Sequence, residues 1–287
     1  MKAAKKIIAV LLSAMFIVLC FSGCSSTEEA EKITEKTMLI AYTEDNAPFV
    51  YEENGELKGF DVEIFKKIFK NIKNEYKNYK FVKVDADYKI GEDVYCVDEN
   101  GKSCIAYIMI GGVQKDSGDI NKTYSFTEDV INNRVITVTK DGNRITSYAE
   151  LNGKDAGVIS AAANTALGKH STIKNGFNSL KEYNTEDTAA AFADLDNGTV
   201  QAVVIDEFTY YTSGLNTDSY IVLDGELENI SYAYALKKGD WVVDSINEAI
   251  YELKSPEYND EDEFTPIVEE YFQYNASSFE YNPVEKK

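Results

Sequence analysis

Few side chains in this 287-residue chain are of types that do covalent or metal chemistry. His170 is the only histidine, and it sits in Leu167-Gly168-Lys169-His170-Ser171, a polar segment with no Gly-x-Ser-x-Gly motif. A Ser-His-Asp or Cys-His centre would have to use that one imidazole, and its neighbours read instead as a solvated loop. The four cysteines are Cys20, Cys24, Cys96 and Cys104. A structural zinc site takes about four ligands, and Cys96 and Cys104 have no second pair. They flank a segment containing Asn100-Gly101, a tight-turn signal. The pair is expected to form a disulfide across the hairpin, with two separate thiols as the alternative. No phosphate-cradling or dinucleotide-binding loop is present. The residues thus call for no enzyme centre, no metal and no cofactor.

The start of the chain bears on compartment. Lys2, Lys5 and Lys6 precede an apolar run from Ile7 to Phe21, and Ser22-Gly23-Cys24 follow. A basic start, a short apolar core and small residues at its end read as a signal peptide, and the run is shorter than the ~20 residues of a spanning helix. The chain carries a net charge of −20, and removing the three leader lysines makes it more negative. Such acidity argues against nucleic acid, whose phosphates need cationic partners, and against docking on anionic lipid; it favours solubility.

The elements that would position a site follow from periodicity. Ser25 to Lys36 is small, charged and aperiodic, and reads as a tether. Met38–Tyr42 predicts a strand. Val62, Phe65, Ile68, Phe69, Ile72 and Tyr76 recur at helical spacing, with Asp61 as N-cap. Phe81–Val84 alternates as a strand, and Ile105–Ile110 is an apolar run suited to one buried strand. A second set begins with a strand at Arg134–Val138. It continues with strands at Ala156–Ile159 and Val200–Ile205 and a helix over 186–196 between them, stopped by Asn197-Gly198. A strand at Ser231–Leu236, a helix at Trp241–Leu253 and a last helix opened by Pro266 and ending near Tyr274 complete the chain. Strands alternating with helices imply parallel α/β sheets.

Ala47-Pro48-Phe49-Val50-Tyr51, Asn54-Gly55 and Gly59-Phe60-Asp61-Val62-Glu63 together resemble the amino-terminal signature of bacterial extracellular solute-binding proteins of family 3, the amino-acid-binding type. Four more segments follow in that family's order: Ser125-Phe126-Thr127, 150–158, 195–206 and 245–250. Ser22-Gly23-Cys24 likewise resembles a lipobox. The resemblance implies a type II periplasmic-binding-protein-like fold of two α/β lobes joined by extended hinge strands. Lobe one would be 37–132 plus 229–287 and lobe two 133–228, after a signal peptide (1–23) and a tether (24–36). It implies a lipid anchor on Cys24, a monomer on the outer face of the cell membrane, an ABC permease as partner and a small polar solute as ligand.

The ligand positions the resemblance implies are Thr43, Asn46, Phe49, Gly112, Gln114, Ala163, Asn164 and Asp206. Several depart from the family. Asn46 stands where an aromatic usually stacks on the solute. Lys115 to Ile120 lacks the arginine that grips an α-carboxylate, and the only arginines in the chain are Arg134 and Arg144. Ala161-Ala162-Ala163-Asn164 replaces a hydroxyl-bearing anion turn. Asp206 matches the carboxylate that pairs with the solute's ammonium; as a plain helix cap it would serve the helix starting at Glu207. Lysine does not reproduce arginine's two-bond fork. A cationic amine, a modified amino acid or a peptide-like solute therefore fits better than a standard α-amino acid. The same fold used as a ligand sensor, an adaptor or a dehydratase-like enzyme is the alternative.

Metabolic labelling with a fatty-acid analogue is expected to tag the wild-type protein and not Cys24→Ala; equal labelling of both contradicts the anchor.

Overall fold

The structure is a computed structural model, and it describes residues 31–32, 37–43, 46–72, 76–97, 102–115, 123–255 and 262–273. Expectations for the leader, Cys24, Asn100-Gly101 and the segment 116–122 lie outside the described residues. Along the chain come β1 (Glu31–Lys32), β2 (Thr37–Tyr42), β3 (Tyr51–Glu53), β4 (Glu56–Lys58) and α1 (Phe60–Ile72). Next are β5 (Asn78–Lys83), β6 (Asp93–Val97), β7 (Ser103–Ile105), β8 (Ile108–Met109), β9 (Tyr124–Phe126) and β10 (Ile131–Lys140). Then follow β11 (Asp155–Ile159), α2 (Ala161–Lys169), α3 (Ser171–Gly176), β12 (Ser179–Tyr183), α4 (Thr188–Asn197), β13 (Ala202–Asp206) and α5 (Glu207–Thr212). The chain closes with β14 (Tyr220–Val222), β15 (Glu228–Tyr232), β16 (Ala235–Lys237), α6 (Val242–Lys254) and α7 (Thr265–Phe272).

Two sheets dominate. One has the order β5-β2-β8-β16-β9, and the other runs β12-β11-β13-β10-β14 with β15 also on β10. Each has a parallel centre, β5-β2-β8 and β12-β11-β13, extended by antiparallel strands. The sheets are thus mixed, where strand–helix alternation alone had implied parallel ones. The chain passes between the two halves through the antiparallel members β9, β10, β15 and β16. Apolar residues on α1, α6 and α7 cover the five-stranded sheet, including Phe65, Ile68, Ile246, Ile250 and Val268. The six-stranded sheet is packed on both faces, Val135 and Val204 on one and Ile136 and Ile205 on the other. That alternation is the period of two of a strand buried on both sides.

Three expectations are corrected here. The run 105–110 is split between β7 and β8, which lie in different sheets. Tyr107 N–H reaches back to Leu39 O at the change. The run 231–236 is likewise two strands, β15 in one sheet and β16 in the other. In each run the chain leaves a partly exposed strand for the buried five-stranded sheet, and hydropathy carries no mark of the transfer. Third, Glu31–Lys32 lies within the expected tether and pairs with β6 through Glu31↔Cys96 and Lys32↔Val97. The hairpin of Cys96 and Cys104 forms between β6 and β7, with a bulge between Val94↔Cys104 and Val97↔Ser103. Smaller shifts are at helix ends. The last helix stops at Phe272, where Gln273 takes a left-handed conformation, and α4 ends on left-handed Gly198.

The halves are joined where three segments meet. Val130 N–H donates to Tyr232 O, Thr127 N–H to Tyr234 O, Ala233 N–H to Val113 O, and Lys115 N–H to Ser231 O. Asp129 is the polar knot of this crossing. Its carboxylate accepts from Lys115 Nζ at 2.9 Å and Ser231 Oγ at 2.8 Å. Its carbonyl accepts from Lys254 Nζ at 2.7 Å. Burial pushes the Lys254 ammonium down to about 8 against the pull of Asp129 and Glu128.

Candidate ligand cleft

The amino-terminal signature is first of all architecture. Phe60 N–H donates to Pro48 O and Asp61 N–H to Phe49 O, so the segment 46–50 serves the open end of α1. These N–H groups have no partner inside their own helix. Gly59 makes the approach possible: a Cβ there would lie 2.2 Å from Phe49 O. Asp61 does not cap its helix. It lies within the first turn of α1, is almost wholly buried, and its Oδ2 accepts from Gly111 N–H at 2.8 Å and Gly112 N–H at 2.9 Å. Such bonds to a charged acceptor are worth about 1.5–3 kcal/mol each. Even so, burial pushes the Asp61 carboxyl up to about 6, the two N–H donors opposing it.

Around that anchor the structure gathers several of the expected ligand residues. Asn46 Nδ2 donates to Gly111 O at 2.9 Å, so the residue in the usual aromatic position grips the opposite side of the same loop. Gly112 has φ +72°, and a Cβ on it would meet Phe49 Cδ2 at 2.7 Å and Asn46 Nδ2 at 3.0 Å. Asn46, Phe49 and Gly112 are therefore in mutual contact. Thr43, half-buried, follows the end of β2, whose residue Ala41 pairs with Met109 just before this loop. Gln114 bridges to Tyr232.

The other half contributes the ends of parallel strands. β11 and β13 run in register with Val158↔Val204, so Ser160 and Asp206 leave the sheet side by side. Ser160 has φ +82°, a region non-glycine residues rarely adopt, and its Oγ accepts from Ala163 N–H at 3.2 Å. Ala163 is fully buried. Asn164 N–H donates to Ser160 O, and its side-chain amide donates to Glu182 Oε1 at 2.9 Å. Asp206 is the N-cap of α5, its Oδ1 accepting from Thr209 N–H at 3.0 Å and from Asn133 Nδ2 at 3.1 Å. Asp206 Oδ2 carries no hydrogen bond among the described residues. Asn133 Oδ1 accepts in turn from Phe208 N–H at 3.1 Å.

Several residues here were not legible in the sequence. The Tyr232 hydroxyl engages both Asn133 and Gln114, and burial pushes it up. Phe208, from α5, lies in the aromatic cluster of the five-stranded half, with ring centroids 4.2 Å from Phe272 and 6.0 Å from both Phe49 and Tyr232. Polar or lone aromatic residues in a strand or short helix give no periodic signal. The asparagine–aspartate pairing across 73 residues gives none either. The cap role of Asp206 was readable because it immediately precedes a helix.

Among the described residues two cations of this region are committed. Lys115 is bound to Asp129. Arg134 makes a two-bond fork with Glu207, Nε at 2.9 Å and a terminal nitrogen at 2.5 Å, and the Glu207 side chain is 2 % exposed. His170 is no free loop residue; its Nε2 lies 2.6 Å from Leu227 O. Among the described residues no cluster of three His, Cys, Asp or Glu side chains is spaced for a metal ion, and no helix is long and apolar enough to cross a membrane.

Two halves, each a mixed sheet flanked by helices and joined by crossing strands, define a two-lobed fold of the type II periplasmic-binding-protein kind. The chain superposes on a polar amino acid ABC uptake transporter substrate-binding protein from Streptococcus thermophilus with a TM-score of 0.65 at 23% identity, covering 84% of this chain and 88% of that one. A second substrate-binding domain of a putative amino acid ABC transporter from Streptococcus pneumoniae gives 0.61 at 24% identity, over 82% and 99%. In sequence the chain is 25% identical over 276 residues to the ABC transporter glutamine-binding protein GlnH of Bacillus subtilis, covering 90% of this chain and 95% of GlnH. It is 23% identical over 252 residues to that organism's arginine-binding extracellular protein ArtP, covering 85% and 91%. No protein-family model matches the chain. Its relatives are thus bacterial amino-acid-binding proteins of ABC transporters, and they are binding proteins rather than enzymes.

Arg134→Ala is expected to lower stability by about 2–3 kcal/mol, toward the low end for a broken buried pair because the arginine itself is partly exposed. Urea unfolding checks this; a change below about 0.5 kcal/mol would mean that Glu207 does not depend on it.

Proposed function

We propose that this protein is the solute-binding lipoprotein of an ABC importer, anchored through Cys24 on the outer face of the membrane. Its lobes, residues 37–132 plus 229–287 and residues 133–228, close on a small polar solute that carries a cationic group. The observation that carries this is Asp206. Both bonds it makes within the protein fall on Oδ1, which leaves Oδ2 for an ammonium or guanidinium. The acidic balance around it is not offset nearby, since Lys115 and Arg134 are held by Asp129 and Glu207. The relatives that bind arginine and glutamine support a solute of this size. The cap and the ligand contact coexist because a carboxylate accepts several bonds.

Asp206→Ser keeps a capping oxygen and removes the charge. It is expected to leave the melting temperature within a few degrees and to weaken binding of a cationic solute at least a hundredfold, since an unpaired buried charge costs on the order of 3–5 kcal/mol. A screen of amines against both proteins measures this, and equal affinity reduces Asp206 to its cap.

Standard α-amino acids are expected to bind poorly. An arginine fork contributes two charge-assisted bonds of about 1.5–3 kcal/mol each, so its loss amounts to two to four decades in affinity. Calorimetry with the twenty amino acids, after unfolding and refolding to strip bound solute, is the check. Submicromolar binding of any of them would mean that the carboxylate is gripped elsewhere.

A further inference from the structure

The inference rests on the cleft reading above, but its test needs no solute. We infer that Asp61 is a positioning residue for the cleft: from the first turn of α1 its carboxylate holds the Gly111–Gly112 backbone in the shape that forms the rim. Three observations converge on it. The carboxylate is almost wholly buried, and one oxygen takes both glycine N–H groups. Asn46 holds the carbonyl of the same loop from the other side. Gly112 has a conformation and a lack of space that admit only glycine, because Phe49 fills the volume a Cβ would need. The loop is therefore pinned at three points, and only Asp61 pins it with charge.

A charged pin makes the rim responsive to acid. Among the described residues Tyr234, from the approach to β16, is the one titratable side chain that bears on Asp61, and its buried hydroxyl has no hydrogen bond of ordinary geometry. Protonation of Asp61 would replace two charge-assisted bonds by neutral ones, which are weaker. The sign for global stability is the opposite. A carboxyl whose folded value is raised to about 6 from 3.8 stabilises the fold most below the unfolded value, and that contribution is lost as pH rises through 6. Acid therefore loosens this rim while the group responsible favours the folded chain, a combination that a purely structural carboxylate holding its own helix would not show.

The experiment uses the mature full-length protein labelled with ¹⁵N-glycine. The Gly111 and Gly112 amide signals are followed from pH 7.5 to 5, with amide exchange measured at both ends. In the wild type both signals are expected to move upfield together with a midpoint near 6, and their exchange to speed up several-fold beyond the intrinsic change at low pH. In Asp61→Asn both signals should stay in place. In His170→Gln the step should remain, because imidazoles also titrate in this range and His170 is tied to Leu227 O in the other half. The proposal is overturned if the wild type shows no step, if the step survives in Asp61→Asn, or if it vanishes in His170→Gln. Should Asp61→Asn fail to fold, Tyr234→Phe decides. Removing the hydroxyl dipole that lies beside the carboxylate should raise the midpoint, and an unmoved midpoint overturns the assignment.

Discussion

The interaction on which the site most depends is the two-way bond between Asn133 and the β13–α5 junction. One amide donates to Asp206 Oδ1 and accepts from Phe208 N–H. Asn133 lies in β10, the long strand that carries the chain from the five-stranded half into the six-stranded sheet. The bond therefore fixes the crossing strand to the element that presents the cleft carboxylate. It also sets the direction in which α5 sends Phe208, into the aromatic cluster of Phe49, Tyr232 and Phe272. A neutral amide suits this position: it satisfies an acceptor and a donor at once and adds no charge that would neutralise Asp206.

The polar groups of the crossing sort by the same logic. Among the described residues two cations of this region are matched with their own acids, Lys115 with Asp129 and Arg134 with Glu207. Buried charges are costly unless paired, and on the proposed reading this pairing leaves the charge of the site to Asp206. On the proposed reading the site then differs from one built around a carboxylate-gripping arginine.

Much of the scaffold was legible. The helical spacing of Val62, Phe65, Ile68, Phe69 and Ile72 gave α1, and Asn197-Gly198 gave the end of α4, because those signals are local. The runs at 105–110 and 231–236 misled because the residues at each change of sheet are as apolar as those inside the strands, so hydropathy does not mark the break. Asp61 was read as a cap from its place at the start of a helix, whereas its partners are fifty residues away. The resemblance pointed to Asn46, Phe49, Gly112, Gln114 and Asp206; the structure brings Asn46, Phe49 and Gly112 together and places Asp206 at a strand end of the other half. It gave no sign of Tyr232, Asn133 or Phe208, whose parts come from long-range pairing. At Ala163 and Asn164 the backbone N–H groups are taken up by Ser160, the strained residue before α2.

The claim that this clamp holds a small cationic solute is tested most directly by native mass spectrometry of the mature protein purified without unfolding. The account predicts a complex with one small solute per chain, recovered on denaturation as a compound with a basic amine or guanidinium group and absent after refolding. A co-purified solute that is anionic, or neutral without a basic group, would contradict it.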